Sequence, residues 1–133
     1  MTRRSIAVTL LVVVALVPAG LLLLQVFGGS AWAVPLRHDP GISWTLLTER
    51  PRYRVLRDYA EPGATRSLHQ HADATWHVLT LATGTLVLTV DGEAPVKLSA
   101  GQSYSLKGGV THTFTNLGTE TATIIEVFGK RRP

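Results

Sequence analysis

The sequence has 133 residues, 45% hydrophobic and 17% charged, with 13 Lys and Arg against 9 Asp and Glu and a formal net charge of +4. A chain of that length makes one domain. With no cysteine there is no disulfide framework, no thiol nucleophile and no thiolate metal site.

The first third differs from the rest. After Arg3 and Arg4 no charge appears until Arg37, and Ile6 to Gly29 is almost wholly apolar with no polar face. As a helix this stretch would reach about 36 Å, more than the roughly 30 Å hydrocarbon layer of a bilayer. Residues 1–33 therefore read as a signal peptide or a signal-anchor transmembrane segment. Ala31-Trp32-Ala33 offers a small-x-small cleavage site. The apolar run is too long for an ordinary signal, which favours an uncleaved anchor over secretion after cleavage near Ala33. Thr2-Arg3-Arg4-Ser5-Ile6 touches on a twin-arginine export signal but lacks the longer basic lead-in. Arg3 and Arg4 stay cytoplasmic, so the expectation is a single-pass membrane protein with its C-terminal domain extracytoplasmic.

Residues 34–43, broken by Pro35, Pro40 and Gly41, read as a linker that carries a solvated His38. Residues 44–133 show no helical periodicity. Short strands are expected instead at Trp44–Thr48, Arg52–Tyr59, Thr65–His71, His77–Ala82, Thr85–Val90, Val96–Leu98, Ser103–Leu106, His112–Asn116 and Thr121–Phe128. Asp91-Gly92 between apolar runs signals a hairpin, and Leu117-Gly118-Thr119 another turn. The domain is all-β, a sandwich or barrel. Arg50, Arg52 and Arg54 alternate, as on one solvated strand face, and Lys130-Arg131-Arg132 reads as a soluble terminus. The exported part is only slightly basic, so no nucleic-acid partner is expected. Without a phosphate-cradling glycine loop or a Gly-x-Ser-x-Gly elbow, phosphoryl and acyl transfer have no foothold.

His69-Gln70-His71-Ala72-Asp73-Ala74-Thr75-Trp76-His77 holds three of the five histidines. Two residues apart on a strand, His69 and His71 face the same side, close enough to share one ion. In Thr111-His112-Thr113-Phe114-Thr115-Asn116 the threonines face one way, and Phe114 carries His112 and Asn116 inward. A buried histidine needs partners, and the other two provide them. A metal-free polar or pH-sensing cluster is the competing reading. Trp76 either walls a ligand pocket or packs the barrel core, as Tyr104 and Phe114 do.

Gly63, five residues, His69-Gln70-His71 and then Gly84 resemble the first motif of the cupins. Gly101, five residues, Lys107-Gly108-Gly109, two residues, His112, three residues and Asn116 resemble the second at every spacing. The resemblance covers roughly residues 52 to 128. It implies a double-stranded β-helix, a cupin jelly-roll barrel preceded here by one apolar helix, with His69, His71 and His112 as metal ligands near the mouth. Two departures stand out. His77 occupies the family's glutamate position after a gap one residue longer than usual, and Lys107 replaces the usual proline. With His77 as a fourth ligand the site would resemble the three-histidine cupins, which use no carboxylate. A divalent ion (Fe, Mn, Ni, Zn or Cu) would then keep its full +2 and attract an anion. The longer gap also allows His77 to lie off-site and Asp73 to approach the metal. The resemblance implies either metal-dependent oxidation of a small anionic or enolisable molecule, as in dioxygenase cupins, or a non-catalytic ligand- or metal-binding module at the membrane surface. For catalysis, His77 and Asp73 are the local acid–base candidates. Small-molecule and membrane contacts are expected, and a homodimer is left open.

Overall fold

A computed structural model describes residues 32–131. Apart from Trp32, these belong to the unit that begins at Ala33. The expected apolar helix lies outside the described residues, and among those described no helix is long and apolar enough to cross a membrane.

Ten strands carry the structure: β1 (Val34–Pro35), β2 (Ile42–Glu49), β3 (Tyr53–Ala60), β4 (Thr65–His69), β5 (Ala74–Thr83), β6 (Thr85–Val90), β7 (Val96–Ser99), β8 (Ser103–Lys107), β9 (His112–Thr115) and β10 (Ala122–Lys130). They form a six-stranded sheet in the order β1-β2-β3-β10-β5-β8 and a four-stranded sheet in the order β4-β9-β6-β7. Every pairing is antiparallel. The long-range crossovers, β10 between β3 and β5 and β9 between β4 and β6, interleave the two ends of the chain and make two packed sheets from one sequence of hairpins.

Period-two alternation explains the core. Leu79 and Leu81 of β5, Leu86 and Leu88 of β6, Phe114 of β9 and Ile124 of β10 all point between the sheets and are buried. Each fully buried side chain of this kind contributes about 1.5–3 kcal/mol, and a chain without disulfides depends on that sum. Tyr104 packs only partly against this core, and its hydroxyl donates outward to Glu93.

The Pro and Gly of residues 34–43 punctuate a hairpin, not an extended linker. β1 pairs with β2 around a turn in which Ile42 N–H donates to Asp39 O at 3.0 Å and Gly41 takes φ 79°. His38 on that turn is exposed, as expected. Asp91-Gly92 does turn β6 into β7, with Glu93 N–H donating to Val90 O at 3.0 Å. Asn116 ends β9 as a fully buried staple: its amide donates to Ala60 O and Glu120 O, both at 2.8 Å, and its oxygen accepts from Gly118 N–H at 2.9 Å.

Two glycines are required by close approach. A Cβ on Gly108 would lie 2.0 Å from the carbonyl oxygen of Ala74, a backbone atom held in the sheet. A Cβ on Gly129 would meet the Trp76 ring at 2.1 Å, but that ring is 46% exposed and free to swing outward. Overpacking costs typically about 1–3 kcal/mol and more where the neighbour cannot yield. Gly108→Ala should therefore lose about 3 kcal/mol of unfolding free energy in urea and Gly129→Ala about 1. Equal losses would contradict this account of the two contacts.

Candidate metal centre

The two sheets bring four imidazoles together. His69 ends β4 and lies directly across from His112 on β9, their ring centroids 4.3 Å apart. His71 falls just past the end of β4, so it follows the strand's phase without belonging to it, and its ring stands 5.0 Å from that of His69. From the opposite sheet, β5 contributes His77, 5.2 Å from the rings of both His71 and His112. Imidazoles binding one ion at about 2.1 Å place their ring centroids roughly 5 Å apart, so these spacings suit a shared ion.

Their hydrogen bonds fix which nitrogen faces inward. His69 Nδ1–H donates to Ser67 O at 2.8 Å and His112 Nδ1–H to Val110 O at 3.0 Å. In both rings the lone pair is thereby left on Nε2, the arrangement that outer hydrogen bonds impose on metal-binding histidines. Among the described residues, His71 Nε2, His112 Nε2 and both His77 nitrogens are buried without a hydrogen-bond partner. Orphaned polar atoms in one place are unfavourable unless something binds them. The ligand atoms of His69, His71 and His112 lie within 4.8 Å of one another, and so do those of His71, His77 and Glu126.

The sequence reading left out the carboxyls. Glu126 of β10 is 2% exposed and sets Oε2 2.6 Å from His77 Nε2. That distance suits an ion pair, yet the two atoms lack hydrogen-bond alignment. Burial pushes the imidazole down and the carboxyl up. Asp58 of β3 lies beside Glu126, likewise buried. Inward alternation was the available signal. Glu126 sits between Ile124 and Phe128, and Asp58 lies two residues from Ala60, all of them buried.

Electrostatics follow from this burial. Desolvation, reinforced for His69 and His71 by neighbouring imidazoles, pushes His69 down to about 4, His71 to about 3 and His77 to about 4, and lowers His112. All four are neutral at pH 7, the form that binds metals. Burial, then the charge of Glu126 and a hydrogen bond to it, pushes Asp58 up to about 10. Burial raises Glu126 as well.

A pocket of about 390 Å³ opens onto the cluster, its apolar lining made by Leu36, Trp44, Leu46 and Leu56. His69, His71, Glu49, Asp58, Glu126, Arg54 and Arg66 supply the polar part of the lining. Arg66 is held by the buried Asp39, which also accepts from Ser67 N–H at 3.1 Å. Arg54 does not lie on a solvated face with Arg50 and Arg52. Those two occupy the β2–β3 turn, whereas Arg54 is half-buried, 5.0 Å above the Phe128 ring and 3.2 Å from Asp73. Asp73 is thus engaged with Arg54 and belongs to neither ligand group. Trp76 sits on the outer side of β5 against Gly129, away from both the pocket and the core.

A family model described as Cupin domain matches residues 59–128. Among solved structures, KdgF from Halomonas sp. superposes with a TM-score of 0.65 at 21% identity, over 75% of this chain and 88% of that one. A cupin domain from Bordetella pertussis gives 0.59 at 26% identity, over 69% and 96%. The polyketide cyclase RemF from Streptomyces resistomycificus gives 0.64 at 18% identity, over 78% and 77%. At these identities the likeness is one of fold. No curated protein sequence matches the chain.

The shifted groups predict how stability depends on pH in chelator-treated protein. Between 6.5 and about 4 the unfolded chain protonates histidines that the folded chain keeps neutral, so stability falls as pH drops through that window. Asp58 acts with the opposite sign: the folded chain holds its proton from 3.8 up to about 10, so stability falls as pH rises. Several imidazoles outweigh the carboxyl below 6.5, and above it only the carboxyl term remains. Thermal midpoints in EDTA should therefore peak near pH 6.5 and decline on both sides. A midpoint still climbing at pH 9 would contradict the burial of these carboxyls.

Proposed function

The chain belongs to the cupin family, and from that premise we propose an exported, membrane-anchored protein whose barrel binds one divalent transition-metal ion through His69, His71, His77 and His112 and offers it to a small anionic molecule. The observation that carries this reading is the convergence of imidazoles from both sheets, with buried, unpartnered nitrogens on His71, His77 and His112 and with His69 and His112 oriented through backbone carbonyls. An all-histidine nitrogen set suits first-row ions such as Fe, Mn, Ni, Zn or Cu. Bound there, the ion would supply Lewis acidity and, where redox-active, electron exchange with dioxygen.

The remaining residues define what enters. Arg54 and Arg66 set two guanidinium groups on the polar wall, which favours an anion such as a carboxylate or enolate. The Leu36, Trp44, Leu46 and Leu56 wall takes the carbon skeleton and excludes water. Asp58, protonated at pH 7, holds a proton at the pocket lining and replaces Asp73 as the local acid–base candidate. Together these favour catalysis, the metal-dependent oxidation of a small anionic or enolisable molecule, over ligand capture alone. Anchorage rests on Arg3 and Arg4 preceding the apolar run from Ile6 to Gly29.

Elemental analysis of the full chain purified in detergent should find close to one first-row ion per molecule, and His69→Ala, His71→Ala and His112→Ala should each lose most of it. Full retention in any two of the three ends the metal-site reading.

Protease added to spheroplasts should digest the barrel domain while cytoplasmic markers survive. A domain protected until lysis would reverse the orientation, and a soluble exported product starting near Val34 would replace the anchor with a cleaved signal.

A further inference from the structure

Glu126 has no place in the sequence motifs, yet it occupies one of the least accessible positions in the barrel. The flanking inward residues of β10, Ile124 and Phe128, are apolar, and nothing in the strand's pattern calls for a charge between them. Among the described residues its one ion-pair distance is to His77, no lysine or arginine lies within ion-pair distance, and Asp58 hydrogen-bonds to the carboxyl. That bond still leaves Oε2 buried without a partner, which is unfavourable unless something binds it.

Its geometry points to what binds it. Oε2 and His77 Nε2 approach to 2.6 Å without donor–acceptor alignment, and both count as unpartnered. Two lone-pair atoms facing each other in this way repel, whereas adjacent ligands of one ion, each at about 2.1 Å from it, lie about 3 Å apart. An orienting hydrogen bond would instead show the ring N–H aimed at the oxygen. His71 belongs to both ligand groups, the one with His69 and His112 and the one with His77 and Glu126.

We propose that Glu126 is a ligand of the same ion, making this a histidine–carboxylate centre whose carboxylate arrives from the last strand. The position where the family's glutamate stands holds His77, and β10, paired with β5, supplies the missing oxygen from the neighbouring strand. The inference rests on the metal-binding reading above. A carboxylate lowers the charge of the loaded site by one and adds a hard oxygen donor, which moves its preference from copper towards iron and manganese. Arg54 and Arg66 then carry more of the attraction for an anion.

The test is a Co(II) titration of the full chain, followed by the visible d–d bands and by the apparent dissociation constant. Wild type should bind one Co(II). Glu126→Gln, nearly isosteric, should bind it at least tenfold more weakly, with bands that shift and intensify as one ligand is lost. Unchanged affinity and unchanged bands in Glu126→Gln would overturn the proposal. Weaker binding with unchanged bands would also overturn it, since Glu126 would then position His77 without touching the ion. A wild-type chain that takes up no Co(II) would refute the metal-binding reading itself. If Glu126→Gln does not fold, Glu126→Asp serves in its place: the shortened carboxylate should move the bands, and identical bands overturn the assignment.

Discussion

Burying a polar atom without a partner costs about 1–3 kcal/mol, and this barrel buries at least five such atoms side by side: one nitrogen each of His71 and His112, both of His77, and an oxygen of Glu126. That constraint organises the rest. Folding must offset the desolvation from elsewhere, and the leucine and phenylalanine layers between the sheets are where the offset arises. Hydrogen bonding then sets the direction of two of the imidazoles. Carbonyls of Ser67 and Val110 engage the outer nitrogens of His69 and His112, so the inner ones have no choice but to face the cluster.

Both sheets line the pocket, and the six-stranded one supplies apolar and charged side chains together. Its apolar residues come from β2, β3 and the turn after β1, where Leu56 stands between Arg54 and Asp58 on β3. The imidazole wall comes from β4 and the residues just beyond it, in the other sheet. A ligand entering there meets hydrocarbon, charged groups and nitrogen bases together. The guanidinium groups of Arg54 and Arg66 are held by Asp73 and Asp39, which keeps both cations ordered near the cluster.

Much of this was legible in the sequence where period-two alternation could be read. Nine expected strands correspond to nine observed, with ends shifted by a few residues, and the phase of Phe114 did carry His112 inward. What escaped depends on which strands become neighbours. Asp58 and Glu126 stand far apart in sequence and meet because β10 inserts between β3 and β5. Arg54 looked like part of a solvated row, and Phe128 and Asp73, brought near by pairing and by the loop before β5, pulled it in. The Pro-Gly pair at Pro40-Gly41 suggested a linker because turn chemistry alone does not tell a hairpin from a loose connection. Spacing motifs located the histidines and, by the same focus, passed over a glutamate outside them.

The cluster draws His69 and His112 from one sheet and His77 and Glu126 from the other. In a chain with no cysteine, an ion bound there would be the single cross-link between the two sheets. It would tie segments from the middle and the far end of the domain, a long loop closure of the kind a disulfide provides in other proteins. Unlike a disulfide, this cross-link forms and breaks with the supply of metal. The rigidity of the domain would then follow the metal content of its surroundings by mass action, not the redox state.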